Sequence, residues 1–136
     1  MSEAKTNNSQ PANNARPLIY VVDDEPMLLE LAAVILEPQG YHVETFRDPE
    51  VALQTYSKAK PRPCLLITDY AMHSMNGMQL IEHFRQLEPH QKILLVSGTV
   101  GEDIFHNAPF RPDHFLAKPY QAEELTATVK MLLGRK

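Results

Sequence analysis

Residues 18–26 read Leu18-Ile19-Tyr20-Val21-Val22-Asp23-Asp24-Glu25-Pro26. Five apolar residues run without alternation, and two aspartates follow at once. An unbroken apolar run of this length suits a strand covered on both faces, because a strand with one wet face would alternate. Pro26 behind Asp24 and Glu25 is a helix start, since the first turn has no use for the N–H that proline lacks. The stretch therefore predicts strand, acidic turn, helix.

The same grammar recurs down the chain. CLLI (64–67), ILLV (93–96) and the shorter FLA (115–117) are further apolar runs. HVETF (42–46) alternates more, which places it nearer a sheet edge. Segments with helical spacing lie between them. Residues 26–37 end before Pro38 and Gly40, and Asp48-Pro49 opens a helix to Lys58. Asn76-Gly77 precedes a third, 78–87, which stops before Pro89. The last runs over 121–133, with Leu125, Val129 and Leu132 on one face and Gly134 beyond. Residues 101–107 predict a fourth helix, short or irregular, because Pro109 and Pro112 crowd the stretch that follows. Five strands alternating with five helices imply an α/β fold. Its sheet is parallel and doubly wound, with helices on both faces.

Composition bounds the rest. The chain has 136 residues, 43% hydrophobic, enough for one domain with its own core. Cys64 is the only cysteine, so no disulfide scaffold is expected and a reducing compartment, the cytoplasm, fits. The net charge of −4 argues against a dedicated nucleic-acid binder, which would show a basic stripe. The run from Leu28 to Leu36, interrupted by Glu30, is too short to span a membrane. MSEAKTNNSQ has no apolar core and does not read as a secretory signal. Residues 1–16 are polar and small, so a disordered tail is expected there and a single folded domain over 17–136. Asn7-Asn8-Ser9 matches a glycosylation sequon, taken here as a chance match.

In such sheets, ligands sit beyond the carboxyl ends of the strands. The strands deliver Asp23 and Asp24, then Asp69, then Ser97-Gly98, then Lys118-Pro119 to that rim. Carboxylates about 4 Å apart repel by roughly 4 kcal/mol per pair at an effective dielectric of about 20. Three carboxylates with Lys118 become neutral once a divalent cation joins them. Oxygen ligands without His or Cys favour a hard ion, and Mg2+ suits carboxylates, waters and a phosphate oxygen. An aspartate can attack phosphorus to form an aspartyl-phosphate. The metal and Lys118 would then stabilise charge on the transferring phosphoryl group.

VVDDEP (21–26), ITDYAMHSMNG (67–77), LLVSG (94–98) and FLAKP (115–119), in this order and spacing, resemble the receiver domains of two-component response regulators. The resemblance covers about residues 17–136 and implies a flavodoxin-like sheet of strand order 2-1-3-4-5. It implies that Asp69 is the phosphoacceptor, taking its group from a phosphohistidine of a histidine kinase or phosphotransfer protein. It implies Asp24, Asp69 and the backbone carbonyl of Ala71 as Mg2+ ligands, with Asp23 acting through a metal-bound water. Ser97 and Lys118 would each meet a phosphoryl oxygen. Phosphorylation would draw Ser97 inward and turn Phe115 into the vacated space, changing the surface that a downstream protein reads, with a homodimer as one outcome. The peptide before Pro119 is usually cis in this family. Such a module accepts phosphate and hydrolyses its own acyl phosphate weakly, rather than turning over a substrate. A receiver-like domain that binds partners without phosphate is the alternative.

Two features depart from the pattern. The family often carries Pro where this chain has His73, which would re-aim the loop without removing a ligand. The six histidines show no metal-ligand spacing and read as surface residues. Residues 27–36, apolar except for Glu30, exceed what one buried stripe needs, so an exposed docking patch for the phosphodonor or a second copy is expected.

Overall fold

The computed structural model describes residues 16–134, so the tail expected over residues 1–16 lies, Arg16 apart, outside the described residues. Five strands, β1 (Leu18–Val22), β2 (His42–Phe46), β3 (Leu65–Asp69), β4 (Ile93–Ser97) and β5 (His114–Ala117), form one sheet. All neighbours pair in parallel, in the order β2-β1-β3-β4-β5. The alternating strand does lie at an edge, as β2.

The unbroken apolar runs are explained by two cores. Ile19, Val21, Leu65, Ile67, Leu94 and Val96 point to one face, covered by α1 (Pro26–Leu36) and α4 (Ala122–Leu132). Tyr20, Val22, Leu66, Ile93 and Leu95 point to the other, under α2 (Pro49–Lys58) and α3 (Gly77–Leu87). Because side chains alternate faces along a strand, apolar residues are needed at every position only when both faces are covered.

Local chemistry starts each helix where the sequence marks it. Pro26 and Pro49 open α1 and α2, and Asp48 Oδ1 accepts from the Glu50 N–H at 2.9 Å. Asn76 and Gln79 form a reciprocal capping box at α3, with bonds of 2.9 and 2.8 Å. Gly77 is required by close approach. A Cβ there would stand 2.5 Å from the Asp69 carbonyl oxygen and 2.9 Å from Leu95 Cδ1. Gly77→Ala must therefore push α3 away from the end of β3, and a thermal melt should show a loss of about 1–3 kcal/mol. An unchanged melting temperature would contradict the contact.

The expected helix count of five is corrected to four α-helices among the described residues. The crossover between β4 and β5 carries only a 3-10 turn, Glu102–Phe105, closed by a 3.3 Å bond from the Ile104 N–H to the Gly101 carbonyl. Pro109 and Pro112 supply no N–H to continue a ladder, so the chain runs on in irregular form to β5. The Lys118–Pro119 peptide is cis, as expected.

Candidate functional site

Parallel pairing brings the C-terminal ends of β1, β3, β4 and β5 to one rim. The Asp23 N–H donates to the Phe46 carbonyl at 3.0 Å, which carries the β1–β2 ladder one residue past β1 and fixes Asp23 at the strand end. Asp69 closes β3 opposite Val96 of β4, and the Tyr70 N–H donates to the Val96 carbonyl at 3.0 Å. Ser97 pairs with Ala117, which seats Lys118 beside the acids.

The side chains converge. Asp23, Asp24 and Asp69 offer carboxylate oxygens that all lie within 4.8 Å of one another. Asp23 and Asp69 are buried, and Asp24 is partly so. Lys118 Nζ bridges two of them, 3.1 Å from Asp23 Oδ2 and 3.0 Å from Asp69 Oδ1. Asp23 has a second task, accepting from the Glu25 N–H through Oδ1 at 3.0 Å, which holds the turn into α1.

One ammonium does not balance this cluster. Burial pushes the Asp69 carboxyl above the usual aspartate range; the Lys118 hydrogen bond offsets part of that, and repulsion from Asp23 adds to it. Burial lowers Lys118, but its bonds and attraction to Asp69 and Asp23 outweigh this and carry it above the ordinary lysine value. The ammonium is thus held charged while a carboxylate in front of it is still under-compensated. Carboxylate oxygens so close, and short of positive charge, fit a hard divalent cation.

Ser97 is at the rim but is engaged with its own loop. Its buried Oγ accepts from the Thr99 and Val100 N–H groups, each at 3.1 Å, and lies 3.3 Å from Thr99 Oγ1. Ala71 lies two residues beyond Asp69, in the exposed loop after β3. Phe115 is half-buried on β5 against the second core, its ring 6.3 Å from that of Phe105.

Two neighbours of the site escaped the sequence reading. His73 Nδ1 lies 3.2 Å from Asp24 Oδ2. Its position four residues after Asp69, where the resemblance expects proline, was the available signal. Tyr120 is half-buried two residues after Lys118, and burial raises its phenol above the ordinary value, with smaller opposing effects of Lys118 and Asp23. With Leu28, Leu31, Gly98, Lys118 and Pro119 it lines a cleft of about 370 Å3. The expected surplus on α1 is present: Met27, Leu31 and Val34, at helical spacing, are 81%, 44% and 63% exposed.

Comparison with known proteins agrees with this arrangement. The family described as response regulator receiver domain matches residues 19–130. The alkaline phosphatase synthesis transcriptional regulatory protein PhoP of Bacillus subtilis is 31% identical over 118 residues, covering 86% of this chain and 48% of PhoP. The chain spans about half the length of the first curated relatives it matches. A CheY-like receiver domain from Methanospirillum hungatei superposes with a TM-score of 0.80 at 26% identity, covering 88% of this chain and 95% of that one. The response regulator TrrA of Thermotoga maritima, solved with Mg2+ and BeF, gives a TM-score of 0.74 at 27% identity over 85% of this chain and 98% of its own. Among the described residues no helix is long and apolar enough to cross a membrane. Sheet order, family match and the acids gathered at the strand ends together make this chain a member of the response regulator receiver domains of two-component systems.

Proposed function

We propose that this receiver accepts a phosphoryl group on Asp69 from a phosphohistidine of a histidine kinase or phosphotransfer protein, and thereby changes its affinity for a downstream protein. The observation that carries the reading is Lys118, whose ammonium is shared between Asp69 and Asp23 at 3.0 and 3.1 Å. It lies where charge on an incoming phosphoryl group would develop. An Asp69 carboxylate oxygen attacks phosphorus, the P–N bond of the donor breaks, and the imidazole leaves and takes a proton. Lys118 binds one phosphoryl oxygen. Ser97 binds another after giving up its loop bonds, and Phe115 follows on β5. Asp24, Asp69 and the Ala71 carbonyl would hold Mg2+, with Asp23 reaching it through water; the ion would neutralise charge on the phosphoryl oxygens. The chain acts as an acceptor with weak hydrolysis of its own acyl phosphate, in the cytoplasm. This domain itself contacts no nucleic acid and no membrane, though relatives of twice its length include named transcriptional regulators. Intact-mass measurement after incubation with acetyl phosphate tests the reading, with Asp69→Asn as the decisive variant.

The donor docks on the exposed stripe of α1, which meets the 370 Å3 cleft beside Lys118 through Leu31. Leu31→Lys and Val34→Glu should slow transfer from a phosphohistidine protein about tenfold or more, as hot-spot losses do, and leave labelling by acetyl phosphate unchanged. Equal rates with the protein donor would rule the stripe out.

A further inference from the structure

Leu18 and Tyr20 of β1 pair in register with His42 and Glu44 of β2, so the four side chains share one face of the sheet. The helix over that face, α2, stops at Lys58, and Ala59 leaves it in extended backbone. A cleft of about 580 Å3 lies between this helix end and the N-terminal halves of the two strands. The sheet is parallel, so the cleft stands at the opposite end of the strands from Asp69.

Tyr20 lines this cleft and is 1% exposed. Its ring packs on Phe46 and Tyr56, with centroids 4.8 and 6.3 Å away. Its hydroxyl makes no hydrogen bond among the described residues, yet it is not sealed from solvent, so it opens on the cleft. A buried phenol ordinarily has a partner. Burial and the nearby Glu44 carboxylate raise Tyr20 above the ordinary phenol value, and Arg62 offsets part of that. The group is therefore a proton donor at neutral pH. Arg16, Lys60 and Arg62 border the cleft against one carboxylate, that of Glu44. Arg62 is fixed over the Tyr56 ring, 4.7 Å from its centroid. Leu18, Ala59 and Pro61 add apolar wall.

We propose that this cleft binds a small organic phosphate with an apolar body, a phosphoryl oxygen accepting from the Tyr20 hydroxyl. Three cations against one carboxylate leave two positive charges, which a phosphate monoester of about −2 balances. The apolar wall takes the body, and the volume lies within the roughly 300–1,000 Å3 of small-molecule sites. Acceptance of phosphate on Asp69 is a separate event and does not enter the argument.

The test is an amide 15N titration of metal-free protein with phenyl phosphate, phenol and inorganic phosphate. Phenyl phosphate should shift the amides of residues 18–20, 42–44 and 59–62. Phenol and inorganic phosphate should each bind about tenfold more weakly or worse, because each lacks half of what the cleft offers. Tyr20→Phe should weaken phenyl phosphate binding about tenfold or more, as for one lost hydrogen bond to a charged partner. Lys60→Glu should weaken it about threefold or more. Shifts centred on Asp69 and Lys118, phenol binding as tightly as phenyl phosphate, or wild-type affinity in Tyr20→Phe would overturn the proposal. Without ligand, Tyr20→Phe should melt no lower than wild type, since no protein hydrogen bond is lost. A lower melting temperature would give the hydroxyl a partner within the protein and overturn the proposal as well.

Discussion

Asp69→Asn, incubated with acetyl phosphate and Mg2+, is expected to stay at its unmodified mass while the wild type gains one phosphoryl group. The effect is all or none, because the amide lacks the anionic oxygen that attacks phosphorus. Omitting the metal should also leave the wild type unmodified. Three close carboxylates and a phosphoryl group would then face one ammonium. Labelling that persists in Asp69→Asn would place the acceptor elsewhere. The same variant carries a second expectation, in stability. The folded Asp69 carboxyl titrates above its ordinary range, chiefly through burial. A raised acid binds its proton more tightly in the folded state, so its contribution to stability is fully present below the unfolded value. That contribution is lost as the pH rises through the folded one. At neutral pH the ionised group is therefore a cost, and metal-free Asp69→Asn should melt higher than wild type. The difference should shrink as the pH falls into the ordinary aspartate range. A lower melting temperature for the variant at neutral pH would contradict the burial argument.

Lys118→Gln is expected to slow phosphorylation by acetyl phosphate about 100- to 1,000-fold, the usual loss when one fixed donor to a developing oxyanion is removed. Gel mobility of the phosphorylated form, followed over time, gives the rate. Loss of the ammonium also leaves Asp23 and Asp69 facing each other without it. The metal-free variant should be less stable by on the order of 2 kcal/mol, as for a lost hydrogen bond to a charged group. Mg2+ should restore more stability to the variant than to wild type, since the ion then supplies the missing positive charge. A variant phosphorylated at the wild-type rate would remove Lys118 from the chemistry and leave it only a structural ion pair.

Much of this was legible because the fold writes itself into short segments. A strand covered on both faces must be apolar at successive positions, and LIYVV (18–22), CLLI (64–67) and ILLV (93–96) show this without any tertiary knowledge. Pro26, Pro49 and Asn76 mark helix starts through backbone chemistry that acts within one turn. The α1 surplus was countable too, since one helix has more apolar positions than one buried stripe. The fourth crossover was not fully legible. Residues 101–107 have helical spacing, but a turn so close to Pro109 and Pro112 closes with 3-10 bonds and goes no further.

The sequence by itself determined the order of the elements, the parallel doubly wound sheet and the set of polar residues delivered to one rim. Periodicity and capping are local, and strand ends in such a sheet share one side by topology. Only the tertiary structure decided how that rim is shared out. Lys118, 95 residues from Asp23 along the chain, is held between two acids. Ser97 spends its hydroxyl on two loop N–H groups, and the imidazole of His73 settles on Asp24. These contacts depend on ångström-scale separations between side chains on different elements, and no spacing along one chain encodes such a distance.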